Sequence, residues 1–92
     1  MKFEWDENKN LINIQKHNIS FEEGITVFKD NKSVLIYDDS HYGDEDRFNI
    51  IGMSQMSNLL IVCHCYRESD TVIRIISARK PTKVEISYYE EE

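Results

Sequence analysis

The chain has 92 residues and a net charge of −6, so it is expected to form one small domain, residues 1–92, without a second hydrophobic core. Hydrophobic residues make up 40% of the chain, and three Gly and one Pro leave little sequence for linkers or disorder. No apolar run approaches the roughly 18 residues of a membrane span, and no apolar segment follows Lys2 as in a signal peptide, so we expect a cytoplasmic protein.

Helical patterns occupy the first third of the chain. Asp6 follows a short extended start and is a favourable N-cap for a helix over roughly residues 7–17. The apolar positions of this first helix are Leu11, Ile12 and Ile14.

A second helix is predicted after residue 20. Ser20 can accept a hydrogen bond from the amide of Glu23 and Glu23 can reach back, which together form a capping box. Phe21, Ile25 and Phe28 then recur at helical spacing. The polar stretch KDNK ends this helix.

After Lys32 the hydrophobic period becomes that of β-strands. The stretches SVLIYDD, RFNIIGM, NLLIVCHCYR and TVIRIISAR are each typical of a strand. The later three are joined by hairpin-length connections, which favour antiparallel neighbours in sequence order.

The last predicted element is a C-terminal helix with Pro81 in its first turn. Val84 and Tyr88 are expected to form its buried stripe, which leaves Glu85 and Tyr89 more exposed. The chain is therefore predicted to be α+β, with two N-terminal helices, a four-stranded, mainly antiparallel sheet and a C-terminal helix. We expect the helices on one face of the sheet and the other face free to bind a ligand.

The stretch VCHCYR contains both cysteines and one histidine at consecutive positions. On a strand, Cys63 and Cys65 point one way and His64 the other, so the three cannot ligate one metal ion. A disulfide between the cysteines is also disfavoured, because same-face neighbours on a strand lie too far apart. We predict no metal site and two free thiols in the core, facing the helices.

The opposite face is then predicted to carry His64 and Tyr66, with Arg67 at the end of the strand. Residues 47–83 contain all four arginines of the chain and have six basic residues against two acidic ones. Arg47 and a last-strand arginine could join the histidine on this face, since arginine binds phosphate through two parallel bonds. A satisfied histidine beside salt-bridged arginines is the structural alternative, and the pattern alone leaves both open.

Such a cluster has the chemistry for RNA cleavage. A ribonuclease without a metal activates the ribose 2′-hydroxyl, stabilises charge on the phosphate and protonates the 5′-oxygen that leaves. Histidine or tyrosine can move the protons, and arginine can stabilise the developing charge.

Three stretches, taken together, resemble a known family. FEWDENKNLINIQKHNISFEEGITVFKD, DDSHYGDEDRFNIIG and HCYRESDTVIRIISARKPTKVEISYYE are similar, in this order, to the BrnT toxins of bacterial type II toxin–antitoxin pairs. The likeness extends over roughly residues 3–90.

The resemblance implies a RelE-like fold and an endoribonuclease that inhibits translation by cleaving RNA, without a metal or another cofactor. It also implies a BrnA-like antitoxin with a ribbon-helix-helix domain. Promoter DNA would be bound only through the toxin–antitoxin complex, and a homodimer or a 2:2 complex is compatible with this assembly.

The motif residues with chemical capacity include His41 as well as residues of the later strands. The predicted catalytic residues are His64, Arg67, Arg79 and Arg47. The predicted RNA-binding residues are Arg74, Tyr66, Lys80, Lys83, Glu85 and Tyr89.

Two features depart from the family pattern. Ile86 stands where the family often has an arginine after the glutamate of the last helix, and the net charge of −6 is acidic for an RNA-cutting toxin. They favour an alternative, a catalytically weak or inactive toxin-fold module that acts as antitoxin partner and co-repressor of its own promoter.

Overall fold

The computed structural model describes residues 1–39 and 45–91. His41, one of the residues carried over from the family resemblance, lies outside the described residues. In chain order the elements are β1 (Lys2–Glu4), α1 (Glu7–His17), α2 (Phe21–Gly24), a 3₁₀ helix (Ile25–Lys29), β2 (Val34–Asp38), β3 (Arg47–Met53), β4 (Leu59–Arg67), β5 (Val72–Arg79) and α3 (Lys83–Glu90).

The strands form a mixed five-stranded sheet in the order β1-β5-β4-β3-β2. Strands β2 to β5 are antiparallel neighbours in sequence order, as predicted. The prediction of four strands is incomplete, because β1 adds a parallel fifth strand with Phe3 opposite Ile73. The extended start predicted before Asp6 is present as β1, but three residues are too few to show an alternating pattern that would assign it to the sheet.

Helix α1 begins and ends where the sequence predicts. The Asp6 carboxylate accepts a hydrogen bond from the amide of Asn8 at 2.8 Å, and Asn18 ends the helix in the left-handed conformation. The apolar residues of α1 nevertheless face outward, since Leu11 is 53% and Ile12 is 59% exposed.

Two buried asparagines attach α1 to the rest of the fold. Asn13 donates to the Ala78 carbonyl at 2.7 Å and accepts from the Ala78 amide at 3.2 Å. Asn10 accepts from the amide of Phe21 at 2.8 Å. Because these bonds satisfy buried backbone groups, polar side chains form the inner side of this helix.

Helix α2 is a single turn that continues as the 3₁₀ helix, so the second predicted helix is shorter and tighter than a regular α-helix. Ser20 accepts from the amide of Glu23 at 3.0 Å, as predicted. The carboxylate of Glu23 instead accepts from Ser54 at 2.7 Å and Asn58 at 2.8 Å, which ties α2 to the β3–β4 turn.

The hydrophobic core lies between these N-terminal helices and one face of the sheet. Close approach is required at Gly52, where an added Cβ would lie 2.8 Å from Cγ1 of Val27. The buried apolar residues of this core are Ile19, Phe21, Val27, Ile50, Leu60, Val62, Ile73, Ile75 and Ala78.

Helix α3 lies over the opposite face of the sheet. Thr82 caps it through a capping box with Glu85, so Pro81 precedes the helix rather than forming its first turn. The predicted buried stripe is wrong, because Val84 and Tyr88 are exposed. Hydrogen bonds fix the orientation of the helix instead, including one from Tyr89 to Asp30 (2.7 Å).

The expectation that all helices share one face is therefore also wrong. Polar contacts draw α3 to the second face, and it covers part of that face. Within the described ranges, no helix is long and apolar enough to cross a membrane.

Candidate functional site

Strand β4 places the residues of VCHCYR on two faces, but the faces are the reverse of those predicted. Val62, His64 and Tyr66 point towards the α1 and α2 side, in or against the core. Cys63 and Cys65 point to the other face with Arg67. The alternation fixes which residues share a face; it does not show which face meets the helices, because β4 is apolar on both sides.

His64 is fully buried at 0% exposure. Its Nδ1 lies 3.1 Å from the Val62 carbonyl oxygen, and its Nε2 is buried without a hydrogen-bond partner among the described residues. The ring of Phe28 packs on it at a centroid distance of 4.9 Å. Burial lowers the pKa of His64, so the neutral imidazole is favoured. The histidine predicted to be catalytic is thus a core residue on the far side from the arginines.

All four arginines project from the sheet face opposite α1 and α2. Arg74 is the cross-strand partner of Cys65, and Arg79 is the partner of Ile61. Arg47 and Arg79 both act electrostatically on the Cys63 thiol, which places them at the same part of this face. We call the surface formed by Arg47, Arg67, Arg74 and Arg79 the arginine face.

Two of these arginines each form a single ion pair. Arg67 pairs with Glu45 at 2.7 Å, and Arg74 pairs with Glu4 at 2.9 Å. All four side chains are between 31% and 45% exposed, so solvent weakens both pairs.

Arg79 is held more firmly, by a bidentate contact with Glu85. Its two terminal nitrogens donate to the two carboxylate oxygens at 2.8 and 2.9 Å. Hydrogen bonds from Arg79, with a smaller contribution from the Thr82 amide, lower the pKa of Glu85 to about 2. Glu85 is therefore ionised at every physiological pH.

Arg47 has no ion pair among the described residues, and its Nε is buried without a hydrogen-bond partner there. The nearby Cys63 thiol contacts Asp38, with Sγ 3.9 Å from Oδ2. Burial, followed by the charge of Asp38, raises the pKa of Cys63 to about 11. Burial and Glu45 also raise the pKa of Cys65, so both free thiols are neutral and poorly nucleophilic.

The remaining predicted RNA-binding residues are dispersed. Tyr66 lies on the sheet face that meets α1 and α2, with its ring centroid 5.4 Å from that of Phe48. The Tyr89 hydroxyl donates a hydrogen bond to the Asp30 carboxylate. Lys80 and Lys83 are exposed around the start of α3, next to the Arg79–Glu85 pair. The structure thus brings the four arginines together with Glu85 on one side of the sheet, and it places His64 and Tyr66 on the other side.

Sequence reasoning missed the acidic partners of the arginine face. Glu4 reaches Arg74 only because β1 joins the sheet beside β5, and Glu45 reaches Arg67 from the start of β3. Asn49 and Ser77, both paired with Cys63 across the sheet, add polar groups to its centre. Placing β1 beside β5 would have revealed the Glu4 contact.

Metal-ligating groups are dispersed as well. No cluster of three His, Cys, Asp or Glu side chains that could hold a metal ion occurs in residues 1–39 and 45–91. Among the described residues, the guanidinium groups of the arginine face can stabilise negative charge on a bound ligand.

The fold is that of a small α+β toxin of known structure. The chain is similar to the crystal structure of the Brucella abortus ribonuclease toxin BrnT, with a TM-score of 0.66 and 22% identity over 90% of this chain and 99% of that one. Comparison with curated proteins gave no significant match.

The family model for the ribonuclease toxin BrnT of type II toxin–antitoxin systems matches residues 5–85. The chain belongs to this family, which confirms the resemblance inferred from its motifs. Membership implies an antitoxin partner, since the family is defined as the toxin half of such a pair.

Proposed function

We propose that this chain is an active endoribonuclease toxin that inhibits translation by cleaving RNA, without a metal ion. The observation that supports this most is the gathering of all four arginines on one face of the sheet. Four guanidinium groups on one surface suit a ligand with several phosphates. The overall charge of −6 does not oppose this, because the acidic residues are concentrated elsewhere in the sequence.

For RNA to bind this face, its phosphates must displace carboxylates that now pair with the arginines. The phosphates would replace Glu45 at Arg67 and Glu4 at Arg74, where the ion pairs are partly exposed and weak. Arg47 has no ion pair among the described residues, so a phosphate can bind it without displacing a carboxylate. We therefore assign Arg47 and Arg67 to phosphate binding next to the reacting group.

The proposed reaction is attack of the ribose 2′-oxygen on the adjacent phosphorus. The Glu85 carboxylate takes the proton of the 2′-hydroxyl, the 2′-O–P bond forms as the P–O5′ bond breaks, and the departing 5′-oxygen takes a proton from water, so the products are a 2′,3′-cyclic phosphate and a 5′-hydroxyl. Arg79 would stabilise the additional negative charge on the phosphate oxygens. Glu85 is ionised as a general base must be, although a pKa of about 2 makes it a weak one.

This proposal uses Arg47, Arg67 and Arg79 from the predicted catalytic set and does not use His64. A side chain at 0% exposure on the opposite side of the sheet cannot touch RNA bound to the arginine face. Arg74, Lys80 and Lys83 are proposed to bind flanking phosphates.

The proposed partner is a BrnA-like antitoxin with a ribbon-helix-helix domain. Promoter DNA would then be bound through the antitoxin, and the RelE-like relationship of the fold belongs to the same proposal. The acidic body of this chain supports a partner with a basic surface.

Growth on induction of the chain alone tests the activity. We expect arrest with the wild type and relief of arrest with Arg67→Ala or Arg79→Ala. Lys16→Ala removes an exposed cation of α1 that lies outside the arginine face, and it should still arrest growth. Wild-type protein that accumulates to a high level while growth and cellular RNA stay intact would refute the enzyme proposal.

A second candidate is the inactive binding module. It is favoured by the carboxylates that already occupy Arg67, Arg74 and Arg79, and by the burial of His64. Ile86, at the position where the family often has an arginine, also favours the inactive module. This module would bind the antitoxin and repress its promoter as a complex, without any growth arrest when expressed alone.

A further inference from the structure

Strand β2 is an edge strand with β3 as its neighbour in the sheet. Its sequence, Val34–Asp38, is VLIYD and contains neither Pro nor Lys, the residues that commonly protect such an edge. The other edge strand, β1, has three residues and begins with Lys2. Of the two edges, β2 is therefore the one suited to pairing with another chain.

Each face of this edge opens into a cleft with apolar walls. On the core side, Leu35 joins Phe48 and Tyr66 around a cleft of about 680 Å³. On the α3 side, Val34 and Ile36 line a second cleft of about 410 Å³ together with Tyr88. Alternate residues of an added strand would point into alternate clefts, which is how edge-strand recognition gains specificity.

The charges around these clefts select the partner. Glu45, Asp46 and Asp70 line the first cleft, and Glu91 lines the second. Because Glu45 is paired with Arg67, the negative charge of the first cleft comes mainly from Asp46 and Asp70. Met1, whose terminal amine is cationic, also lines the first cleft, so the lining is negative on balance. A second copy of this chain would bring another net charge of −6, whereas a basic segment would meet complementary charge.

We propose that the β2 edge is the docking site for an extended segment of a partner protein, with alternating apolar residues flanked by Lys or Arg. The segment adds a sixth strand to the sheet and places its apolar side chains in the two clefts. This inference rests on the proposed function to the extent that the antitoxin is the natural carrier of the segment.

A synthetic peptide of alternating Val and Thr, with two Lys at each end, is the probe. Titrated into the isotope-labelled full chain, it should shift the amide resonances of residues 34–38 saturably and slow their hydrogen exchange. Replacing the central Val by Pro should abolish binding, because the ring removes a strand hydrogen bond. Replacing the lysines by Glu should weaken binding at least about tenfold.

Two matched variants of the chain complete the test. Leu35→Lys should weaken peptide binding at least about tenfold, and Leu11→Lys should not change it. The two leucines are 52% and 53% exposed, so neither change disturbs the core. No binding, equal binding of the Pro peptide, shifts outside residues 34–38 only, or an unaffected Leu35→Lys variant would each overturn the docking site.

Failure of the docking site and failure of the enzyme proposal are distinguishable. Growth arrest by the chain alone, relieved by Arg79→Ala, combined with no peptide binding, would refute the docking site only. Peptide binding at β2 by a chain that leaves growth and RNA intact would support the docking site and refute the enzyme proposal only.

Discussion

At the scale of single residues, His64 shows how a polar side chain is accommodated in a small core. One ring nitrogen lies beside a backbone carbonyl, and the other has no hydrogen-bond partner in the part of the chain that the structure describes. A buried polar atom without a partner costs free energy, and a charge there costs much more. The position thus tolerates an imidazole only in its neutral form.

This gives a pH dependence of stability with a definite sign. The pKa of His64 is lowered from 6.5 in the folded state, so the unfolded chain binds a proton more readily. The free energy of unfolding should fall as pH drops below 6.5, by at most about 1.4 kcal/mol per pH unit, and continue to fall until the folded-state pKa is passed.

Urea unfolding at a series of pH values measures this effect. His64→Phe should remove the fall, and His17→Gln, outside the core, should retain it. An equal pH slope in the wild type and His64→Phe would contradict the assignment of His64 as a neutral core residue.

At the scale of secondary-structure elements, hydrogen bonds determine how the helices dock. Helix α1 meets β5 through Asn13 rather than through its apolar residues, and α3 is held by Glu85 and Tyr89 rather than by Val84. Periodicity analysis assigns the buried side from hydrophobicity, so it cannot identify a helix that docks through amide and carboxylate groups.

Asn13→Ala tests the docking of α1. It leaves the amide and carbonyl of Ala78 without the Asn13 side chain in a buried position, so we expect a loss of about 2–4 kcal/mol in the free energy of unfolding. Leu11→Ala, on the exposed side of the same helix, should stay within about 0.5 kcal/mol of the wild type. Similar values for the two variants in chemical denaturation would show that α1 docks by its apolar side.

Much of the fold could be predicted from the sequence. The caps at Asp6 and Ser20, the four antiparallel strands and the final helix follow from local chemistry that a few neighbouring residues determine. The extended start was predicted, but its parallel pairing with β5 was not, because three residues carry no pattern that identifies a partner strand.

The candidate site was harder to predict. The alternation of β4 correctly separated His64 from the cysteines, but hydrophobicity could not decide which set faces the helices, since Ile61 and Val62 are both buried. Only Arg47 and one last-strand arginine were expected on a common face, whereas the register shift between β4 and β5 brings both Arg74 and Arg79 to it. The acidic partners of the arginines depended on strand order and turn geometry.

At the scale of the whole molecule, charge is distributed unevenly over the surface. Four arginines are on one sheet face, while the edge strand β2 adjoins acidic clefts. A molecule of net charge −6 can thus present a phosphate-binding surface and a separate surface for a basic partner. This separation predicts that substitutions in this chain that reduce RNA cleavage and substitutions that reduce antitoxin binding lie on different surfaces.

Cleavage of a labelled single-stranded RNA by the purified chain, in the presence of EDTA, distinguishes an active endoribonuclease from an inactive toxin-fold module. We expect products with 2′,3′-cyclic phosphate ends, full activity in Lys16→Ala and a loss of at least about a hundredfold in Arg79→Ala. Intact RNA with the folded wild type, or equal cleavage by Arg79→Ala, would contradict the proposed endoribonuclease activity.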